Sequence, residues 1–236
     1  MLIISYGMPK SASTFTFQLL CDVAKKDSDQ KAIRQNLPAH LKDPYLVSLD
    51  LLDELESNIP PHAHYVVKTH VAFDEQIAKL IKEKRIKAIC QYRNVLDVLV
   101  SMLDSGKNER RKPPEIQREP FKSIYKANDA IPLVVQFVES TKPWIAAARE
   151  YGFPCFSFIQ ITRNTETSLL RMCDYLGIEC DVSEIIAKYI QNPGLIGEIN
   201  RGIPGRGARE LQIDKDHHIR RLSDEFRQFV DQTLNQ

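Results

Sequence analysis

The first 24 residues contain a pattern that few folds can accommodate. A short apolar run at residues 2–6 stops at Gly7, and an amphipathic stretch follows at residues 15–24. The run has the length of a buried strand, and the stretch has the period of a helix. Only eight residues, 7–14, lie between the two. The sequence therefore predicts a strand, a tight loop and the beginning of a helix.

The predicted loop has the properties of an anion-binding site. Backbone N–H groups in the first turn of a helix lack partners within the helix and lie at the positive end of its dipole. Lys10 would add a positive charge. Ser11, Ser13 and Thr14 would add hydroxyl donors. The loop lacks the Gly-Lys pair of a Walker loop for ATP. The alternative interpretation is an ordinary helix capped by Ser13 or Thr14.

Two later segments each place basic residues where a predicted strand ends. The run at residues 64–70 ends in Lys68 and His70. The run at residues 87–94 places Arg93 at its end, and Ser101 follows eight residues later. Ligands of open α/β sheets bind at the carboxyl ends of strands. Because eight residues span just over two helical turns, Arg93 and Ser101 can converge on one phosphate.

These three segments, in this order, resemble the sulfotransferases that use 3′-phosphoadenosine 5′-phosphosulfate (PAPS). The family motif P-K-S/T-G-T-T-W corresponds to P-K-S-A-S-T-F at residues 9–15, and K-T-H stands at residues 68–70. The motif R-N-x-x-D-x-x-x-S is present at residues 93–101. A basic glycine loop of the type R-K-G-x-x-G-D-W is echoed at residues 200–207. The resemblance spans nearly the whole chain, and four motifs in order are more specific than any one.

The chain departs from the family pattern at several positions. Ala12 replaces the loop glycine, which is harmless only if this residue keeps a negative φ. Phe15 replaces a tryptophan that packs on adenine in the family, and its ring can still stack. The family's Y-E-D reads Q-I-T at residues 160–162, and its dimer signature is absent from residues 208–217. The family's dimer is therefore not expected here, and the oligomeric state stays open.

The resemblance implies a role for each matching residue. His70 would be the general base, with an ordinary pKa near ~6.5 that suits neutral pH. Lys10 would stabilise the leaving oxygen, and Lys68 the sulfuryl oxygens. The implied donor-binding residues are Lys10, Ser11, Ala12, Ser13, Thr14, Phe15, Arg93, Ser101, Arg201 and Gly202. No metal is required, and the product nucleotide would be 3′-phosphoadenosine 5′-phosphate (PAP). The alternative for His70 is a purely structural histidine.

Strand-like and helix-like segments alternate along the chain. Strands are predicted at residues 2–6, 65–68, 88–92 and 155–159, and helices at residues 14–24, 74–84, 95–103, 131–150, 165–176 and 216–234. Such alternation is typical of parallel β-α-β units. We therefore expect an α/β protein with a three-layer P-loop-like fold, in which helices flank a mostly parallel central sheet. One sulfotransferase domain is expected over residues 1–236.

Composition and charge exclude several other classes of protein. A formal net charge of +1 creates no overall field that would favour nucleic acid. No apolar run approaches the roughly 20 residues of a membrane span. Five cysteines without a CxxC pair predict reduced thiols and a cytoplasmic protein, with Cys90 and Cys155 as buried strand residues. The neighbouring pair His217 and His218 lacks further ligands at metal-binding spacing.

Residues 106–128 form the one long segment without a regular pattern. Near its start it carries the basic residues Lys107, Arg110, Arg111 and Lys112. They could form a lid over an anionic acceptor such as a glycan, but we favour the alternative of a solvated charged segment. The acceptor, a small molecule or a glycan, is not specified by the sequence.

The sequence as a whole predicts a sulfotransferase that moves a sulfuryl group from PAPS to a hydroxyl or amine. A small-molecule kinase would need a Walker loop and an acidic strand end, neither of which is visible. A non-catalytic nucleotide-binding module is the other alternative, and it would have no use for the base at His70.

Overall fold

The computed structural model describes residues 1–25, 29–44, 49–191 and 228–229. Its strands are β1 (Leu2–Gly7), β2 (Tyr65–Thr69), β3 (Ile86–Tyr92) and β4 (Cys155–Ser157). Its helices are α1 (Ser13–Lys25), α2 (Gln30–Asn36), α3 (Leu52–Ser57), α4 (Glu75–Lys82), α5 (Val95–Glu109), α6 (Ala127–Tyr151), α7 (Phe158–Arg163), α8 (Thr165–Leu176) and α9 (Val182–Gln191). Short 3-10 helices lie at Ala39–Leu41, Leu49–Leu51, Pro114–Ile116 and Phe121–Ser123.

The four strands form one parallel sheet in the order β2-β1-β3-β4. In β1, Tyr6 is in register with Thr69 of β2 and with Cys90 of β3. The carboxyl ends of these three strands therefore lie side by side. The predicted α/β class, with helices flanking a mostly parallel sheet, is confirmed.

The described residues divide into two compact units. Residues 1–92 and 140–191 belong to the first unit, which contains the whole sheet, and residues 93–139 belong to the second. The single domain expected over residues 1–236 stays a prediction.

The core of the first unit covers both faces of the sheet. Alternate residues of β1 point to opposite faces, and accordingly Ile4 and Tyr6 pack with Trp144 in one apolar cluster. Ile3 belongs to a second cluster with Leu20 of α1. All six residues of β1 are buried. The carboxyl end of β1 is thus held rigidly from both sides.

Several helices and one strand end differ from the sequence-based predictions. Strand β4 stops at Ser157, because the Ser157 hydroxyl accepts from the Gln160 N–H at 3.3 Å and the Gln160 side chain accepts from the Ser157 N–H at 2.7 Å. This reciprocal cap begins α7 where the sequence predicted a longer strand. Helices α2, α3, α7 and α9 were not predicted. The helix predicted at residues 216–234 lies outside the described residues, apart from 228–229.

The expectation of reduced thiols is wrong for one pair of cysteines. Cys173 and Cys180 form a disulfide, with their Cα atoms 6.8 Å apart. Helix α8 ends at a left-handed glycine, Gly177, which turns the chain back so that the two cysteines meet. Cys21, Cys90 and Cys155 are free thiols; Cys90 is buried as predicted, whereas Cys155 is only half-buried. Within the described residues, no helix is long and apolar enough to span a bilayer.

In the second unit, residues 106–128 are ordered around a buried carboxylate. The side chain of Glu109 is 4% exposed and accepts from Lys112 Nζ at 2.6 Å and from Arg118 Nε at 3.1 Å. These bonds, that from Lys112 above all, lower the pKa of Glu109 to about 2. Helix α5 continues to Glu109, six residues beyond its predicted end. Charge pairing therefore organises a segment that shows no periodic pattern.

Arg110 and Gly106 also hold residues 106–128, here called the charged segment, in place. The Arg110 guanidinium donates to the carbonyls of Lys122, at 3.3 Å, and Ile124, and lies 4.1 Å from the ring centre of Tyr125. A Cβ on Gly106 would lie 2.3 Å from the Ile124 carbonyl oxygen, so only glycine lets the chain cross α5 here.

The four basic residues at positions 107–112 of this segment divide into two pairs. Lys107 and Arg111 are exposed, as the favoured interpretation predicts. Arg110 and Lys112 are instead bonded within the segment.

Candidate active site

The loop between β1 and α1, residues 8–12, has an irregular and tightly fixed backbone. The Met8 N–H donates to the Gln91 carbonyl at 2.9 Å, and the Ser11 N–H donates to the Met8 carbonyl at 3.1 Å. Lys10 and Ala12 both have positive φ values, 67° and 68°. The condition under which Ala12 would be harmless is therefore not met. Alternation of left-handed residues with ordinary ones creates the backbone concavity that binds anions.

Gly7 allows this loop to fold back against the start of α1. A Cβ at Gly7 would lie 2.2 Å from the Cβ of Ser13, which is an impossible contact. The Thr16 N–H donates to the Ala12 carbonyl at 3.1 Å, so the helix begins directly after the loop. The first turn of α1 contains no acidic residue. The helix itself therefore supplies no carboxylate that would compete for its first N–H groups.

The predicted hydroxyl donors lie within this loop and the first helical turn. Ser11 is fully buried, and its Oγ has no hydrogen-bond partner among the described residues. Thr14 Oγ1 accepts from Lys68 Nζ at 2.9 Å. This bond brings a cation of β2 to the first turn of α1. Lys10, which directly precedes Ser11 in the loop, is half-buried.

His70 follows β2 directly and contacts the end of β1. Its Nδ1 bonds to the Gly7 carbonyl. Because a carbonyl can only accept, Nδ1 carries the proton and Nε2 of a neutral ring keeps its lone pair. Burial and then the charge of Lys68 lower the pKa of His70 to about 4, against a smaller raising effect of the Gly7 bond. The expectation of an ordinary histidine pKa is thus wrong, and His70 is neutral at pH 7.

Two residues that support this arrangement were not predicted from the sequence. Gln91 of β3 is fully buried and bonds through its side-chain amide to the Ser11 carbonyl and the Thr16 hydroxyl. Trp144 of α6 donates from Nε1 to the Val71 carbonyl at 2.9 Å, directly after His70. The available signal for Gln91 was an amide within the predicted strand at residues 88–92, whose other members are Ala, Ile, Cys and Tyr. For Trp144 no sequence signal indicated the contact.

Arg93 and Ser101 belong to the second unit. Arg93 follows β3 directly and is 7% exposed; burial lowers the pKa of its guanidinium, against an opposing effect of Asp97. Asn94 caps α5 by accepting from the N–H groups of Leu96, at 3.0 Å, and Asp97. Ser101 is 6% exposed on the same helix. Both predicted phosphate-binding side chains are thus buried polar groups at or near the start of α5.

The remaining predicted site residues have different outcomes. Phe15 is 6% exposed and packs edge-on against Tyr189, with ring centres 5.3 Å apart, so its contact with adenine stays a prediction. Arg201 and Gly202 lie outside the described residues. No group of residues suited to hold a metal ion occurs in the described part of the chain.

Comparison with known proteins decides the family. A family model described as "Sulfotransferase domain" matches residues 1–193 of the chain. The chain belongs to the sulfotransferase family. No curated protein sequence matches it significantly.

Solved structures show which fold this sulfotransferase has. Retinol dehydratase in complex with androsterone and PAP is 14% identical with a TM-score of 0.59, and covers 99% of this chain and 79% of its own. The same enzyme with retinol and PAP is 13% identical with a TM-score of 0.57, covering 99% and 80%. Mouse sulfotransferase SULT7A1 with PAP is 15% identical with a TM-score of 0.56, covering 98% and 82%. At these identities the likeness establishes a shared fold.

Proposed function

We propose that this sulfotransferase transfers a sulfuryl group from PAPS to a hydroxyl or amine, with His70 as general base. The observation that carries the proposal is the meeting of three strand ends. Lys68 of β2 bonds to Thr14 at 2.9 Å, and His70 bonds to the carbonyl at the end of β1. A cation, a neutral imidazole and an anion-binding loop thus surround one place.

The loop and the two lysines would hold the donor. Backbone N–H groups of the first turn of α1 and the Ser11 hydroxyl would bind the 5′-phosphosulfate. Lys10 would stabilise the negative charge that grows on the oxygen between sulfur and phosphorus, and Lys68 the sulfuryl oxygens. Because these charges are already in place, little reorganisation is needed as the bond breaks.

His70 would take the proton of the acceptor. As the acceptor oxygen or nitrogen forms its bond to sulfur, its proton passes to Nε2, and the sulfur–oxygen bond to the nucleotide breaks to release PAP. The bond from Nδ1 to the Gly7 carbonyl holds the ring in the required tautomer. A histidine with a pKa of about 4 is deprotonated at pH 7 but is a weak base. Bound donor anions would offset Lys68 and raise this pKa.

The 3′-phosphate would be bound in the second unit by Arg93 and Ser101. Phe15 is proposed to contact adenine, and Arg201 with Gly202 to close over the donor. Three structural neighbours were solved with PAP, and two of them also hold androsterone or retinol, which supports PAP binding and a small-molecule acceptor here. The cytoplasmic location stays a prediction. Neither the kinase nor the non-catalytic module gains support from these findings.

A test of the donor compares PAP with AMP, which lacks the 3′-phosphate. Hydrogen bonds to charged groups contribute roughly 1.5–3 kcal/mol each, so the loss of two should weaken binding about a hundredfold or more. Isothermal calorimetry measures both affinities. Arg93→Ala should remove most of the difference between the ligands, whereas Arg111→Ala, at an exposed arginine of the same unit, should leave it intact. Equal affinities of the unaltered protein for PAP and AMP would contradict the donor assignment.

A further inference from the structure

The buried side-chain amide of Gln91 on β3 joins the sheet to the loop between β1 and α1, residues 8–12, here called the anion loop, and to helix α1. Gln91 Nε2 donates to the Ser11 carbonyl, and Gln91 Oε1 accepts from the Thr16 hydroxyl. The backbone carbonyl of Gln91 accepts from Met8 at 2.9 Å. One residue therefore holds the beginning of the loop, its centre and the first turns of α1. Its side chain is 0% exposed, so Gln91 does not itself contact a ligand that binds from solvent.

The bond to Ser11 acts where the loop is most strained. Lys10 and Ala12, with φ values of 67° and 68°, flank Ser11 on either side. Left-handed residues other than glycine persist only where their surroundings enforce them. The Ser11 carbonyl and the Ala12 N–H belong to one peptide plane. Because the Ala12 carbonyl is held by the Thr16 N–H, fixing the direction of the Ser11 carbonyl constrains φ of Ala12, and with it the way in which the loop enters α1.

We propose that Gln91 is a positioning residue of the donor site, which keeps Ala12 left-handed by anchoring the Ser11 carbonyl to the sheet. In its role towards the donor, this inference rests on the proposed function. A glycine at residue 12 adopts the left-handed conformation without such support. With alanine at this position, the chain needs the anchor that Gln91 provides. The effect of a substitution at Gln91 should therefore depend on the residue at position 12, and the reverse.

The alternative is that Gln91 contributes only to the stability of the core. Loss of its hydrogen bonds would then lower stability, and the effect on ligand binding would be the same whichever residue occupies position 12. Positioning instead predicts that the effect of a Gln91 substitution on binding, and not its effect on stability, depends on which residue occupies position 12. A double-mutant cycle separates these possibilities.

The experiment combines Gln91→Met with Ala12→Gly and measures PAP affinity by calorimetry. With alanine at position 12, Gln91→Met should weaken PAP binding by about tenfold or more, the factor that corresponds to one strained left-handed residue. With glycine there, the loss should shrink to within about threefold, since the loop no longer needs enforcement. The fall in unfolding midpoint caused by Gln91→Met should not shrink with it. Equal losses of affinity in both backgrounds would overturn the proposal.

A matched control removes a comparable bond elsewhere. Ser168 is 2% exposed and donates to the Gln160 carbonyl at 3.0 Å, so Ser168→Ala also deletes a buried bond from a side chain to the backbone. It should lower the unfolding midpoint and leave PAP affinity unchanged in both backgrounds. If Gln91→Met does not fold, Thr16→Val releases the amide from one side and should show the same dependence on residue 12 with a smaller size.

A second readout keeps this inference distinct from the choice of donor. Hydrogen exchange at the amides of Ser13 and Thr14, measured without any ligand, should become faster in Gln91→Met, and Ala12→Gly should restore part of the protection. If the unaltered protein fails to bind PAP while this pattern holds, the donor is wrong and the positioning role stands. Unchanged exchange in Gln91→Met would refute the positioning role whatever the ligand.

Discussion

Two irregular segments of the chain, the anion loop and the charged segment, achieve order in opposite ways. In the anion loop and the first helical turn, residues 8–14, the backbone is bonded to neighbouring strands, and no acidic residue is present. In the charged segment, residues 106–128, the basic side chains Lys112 and Arg118 surround a buried carboxylate, Glu109. The basic residues Lys112 and Arg118 are thus paired with an anion from the same segment.

The comparison explains why the richer basic cluster is the weaker candidate for a site. Arg110 directs its guanidinium to two backbone carbonyls and the Tyr125 ring, and Lys112 to Glu109. The loop beside β1 has fewer cations. It does have the first turn of α1, a buried Ser11 hydroxyl and a neutral His70. Geometry around the backbone, and not the number of positive charges, distinguishes the two segments.

The largest expected effect concerns His70, which contacts the end of β1 beside the anion loop. His70→Asn removes the base and should lower turnover with labelled PAPS by at least about a hundredfold, while PAP affinity changes by no more than a few-fold. Asparagine retains a donor for the Gly7 carbonyl, so the loop is disturbed little. Near-native turnover of this variant would show that the base lies elsewhere.

A matched pair of substitutions compares the two segments at their glycines. Gly7→Ala would place a Cβ 2.2 Å from Ser13 Cβ, and Gly106→Ala would place one 2.3 Å from the Ile124 carbonyl oxygen. Overpacking of this kind costs roughly 1–3 kcal/mol, so both variants should unfold at lower denaturant concentration. Among molecules that stay folded, only Gly7→Ala should lose PAP affinity. Loss of PAP binding in Gly106→Ala would contradict the separation of roles.

Acid should act on the two segments in different pH ranges. The pKa of His70 is lowered to about 4 in the folded protein, so the unfolded chain binds the proton more readily and stability falls as pH decreases from about 6.5. The pKa of Glu109 is lowered to about 2, so its contribution is lost as pH falls from about 4.5. Unfolding midpoints should be recorded from pH 8 to pH 2. The fall that begins near pH 6.5 should be absent in His70→Asn, and the fall that begins near pH 4.5 should be absent in Glu109→Gln. A single step common to both variants would argue against this assignment.

The smallest expected effect concerns strain. Ala12 has a φ of 68°, and glycine there should stabilise the protein by up to about 1 kcal/mol and tighten PAP binding slightly. Lys84 has a φ of 58° in the turn after α4, and Lys84→Gly should give a similar gain in stability with unchanged PAP affinity. Thermal unfolding and calorimetry of the two variants distinguish strain within the anion loop from strain elsewhere.

The sequence predicted the elements of the fold where hydrophobic periodicity was strong. Strands β2, which contains Lys68, and β3, which Arg93 follows, were located to within two residues. Helix α8 was predicted with its observed bounds. Helix α5 was predicted six residues too short, and the contacts of Glu109 with Lys112 and Arg118 at its end are encoded by no periodicity. The Cys173–Cys180 disulfide was missed because it depends on the turn at Gly177.

The candidate site was predictable in its residue types but not in its conformation. Residue spacing placed Lys68 and His70 at a strand end beside the loop, and the structure brings them there. The left-handed Ala12 could not be foreseen, because alanine carries no signal for positive φ. Nor could the low pKa of His70, which results from burial and from Lys68 together. Such properties depend on contacts between distant segments.

The central position of β1 in the sheet has a consequence for the order in which the chain assembles. Leu2 pairs with Tyr65 on one side and with Ile86 on the other, so β1 gains its first partner only after β2 has emerged and its second only after β3. The anion loop can form its bond to the sheet only later still, because Gln91 lies near the end of β3. Closing such long loops slows folding. The loop that would bind the donor therefore forms only after β3, the strand that holds it in place, has been synthesised.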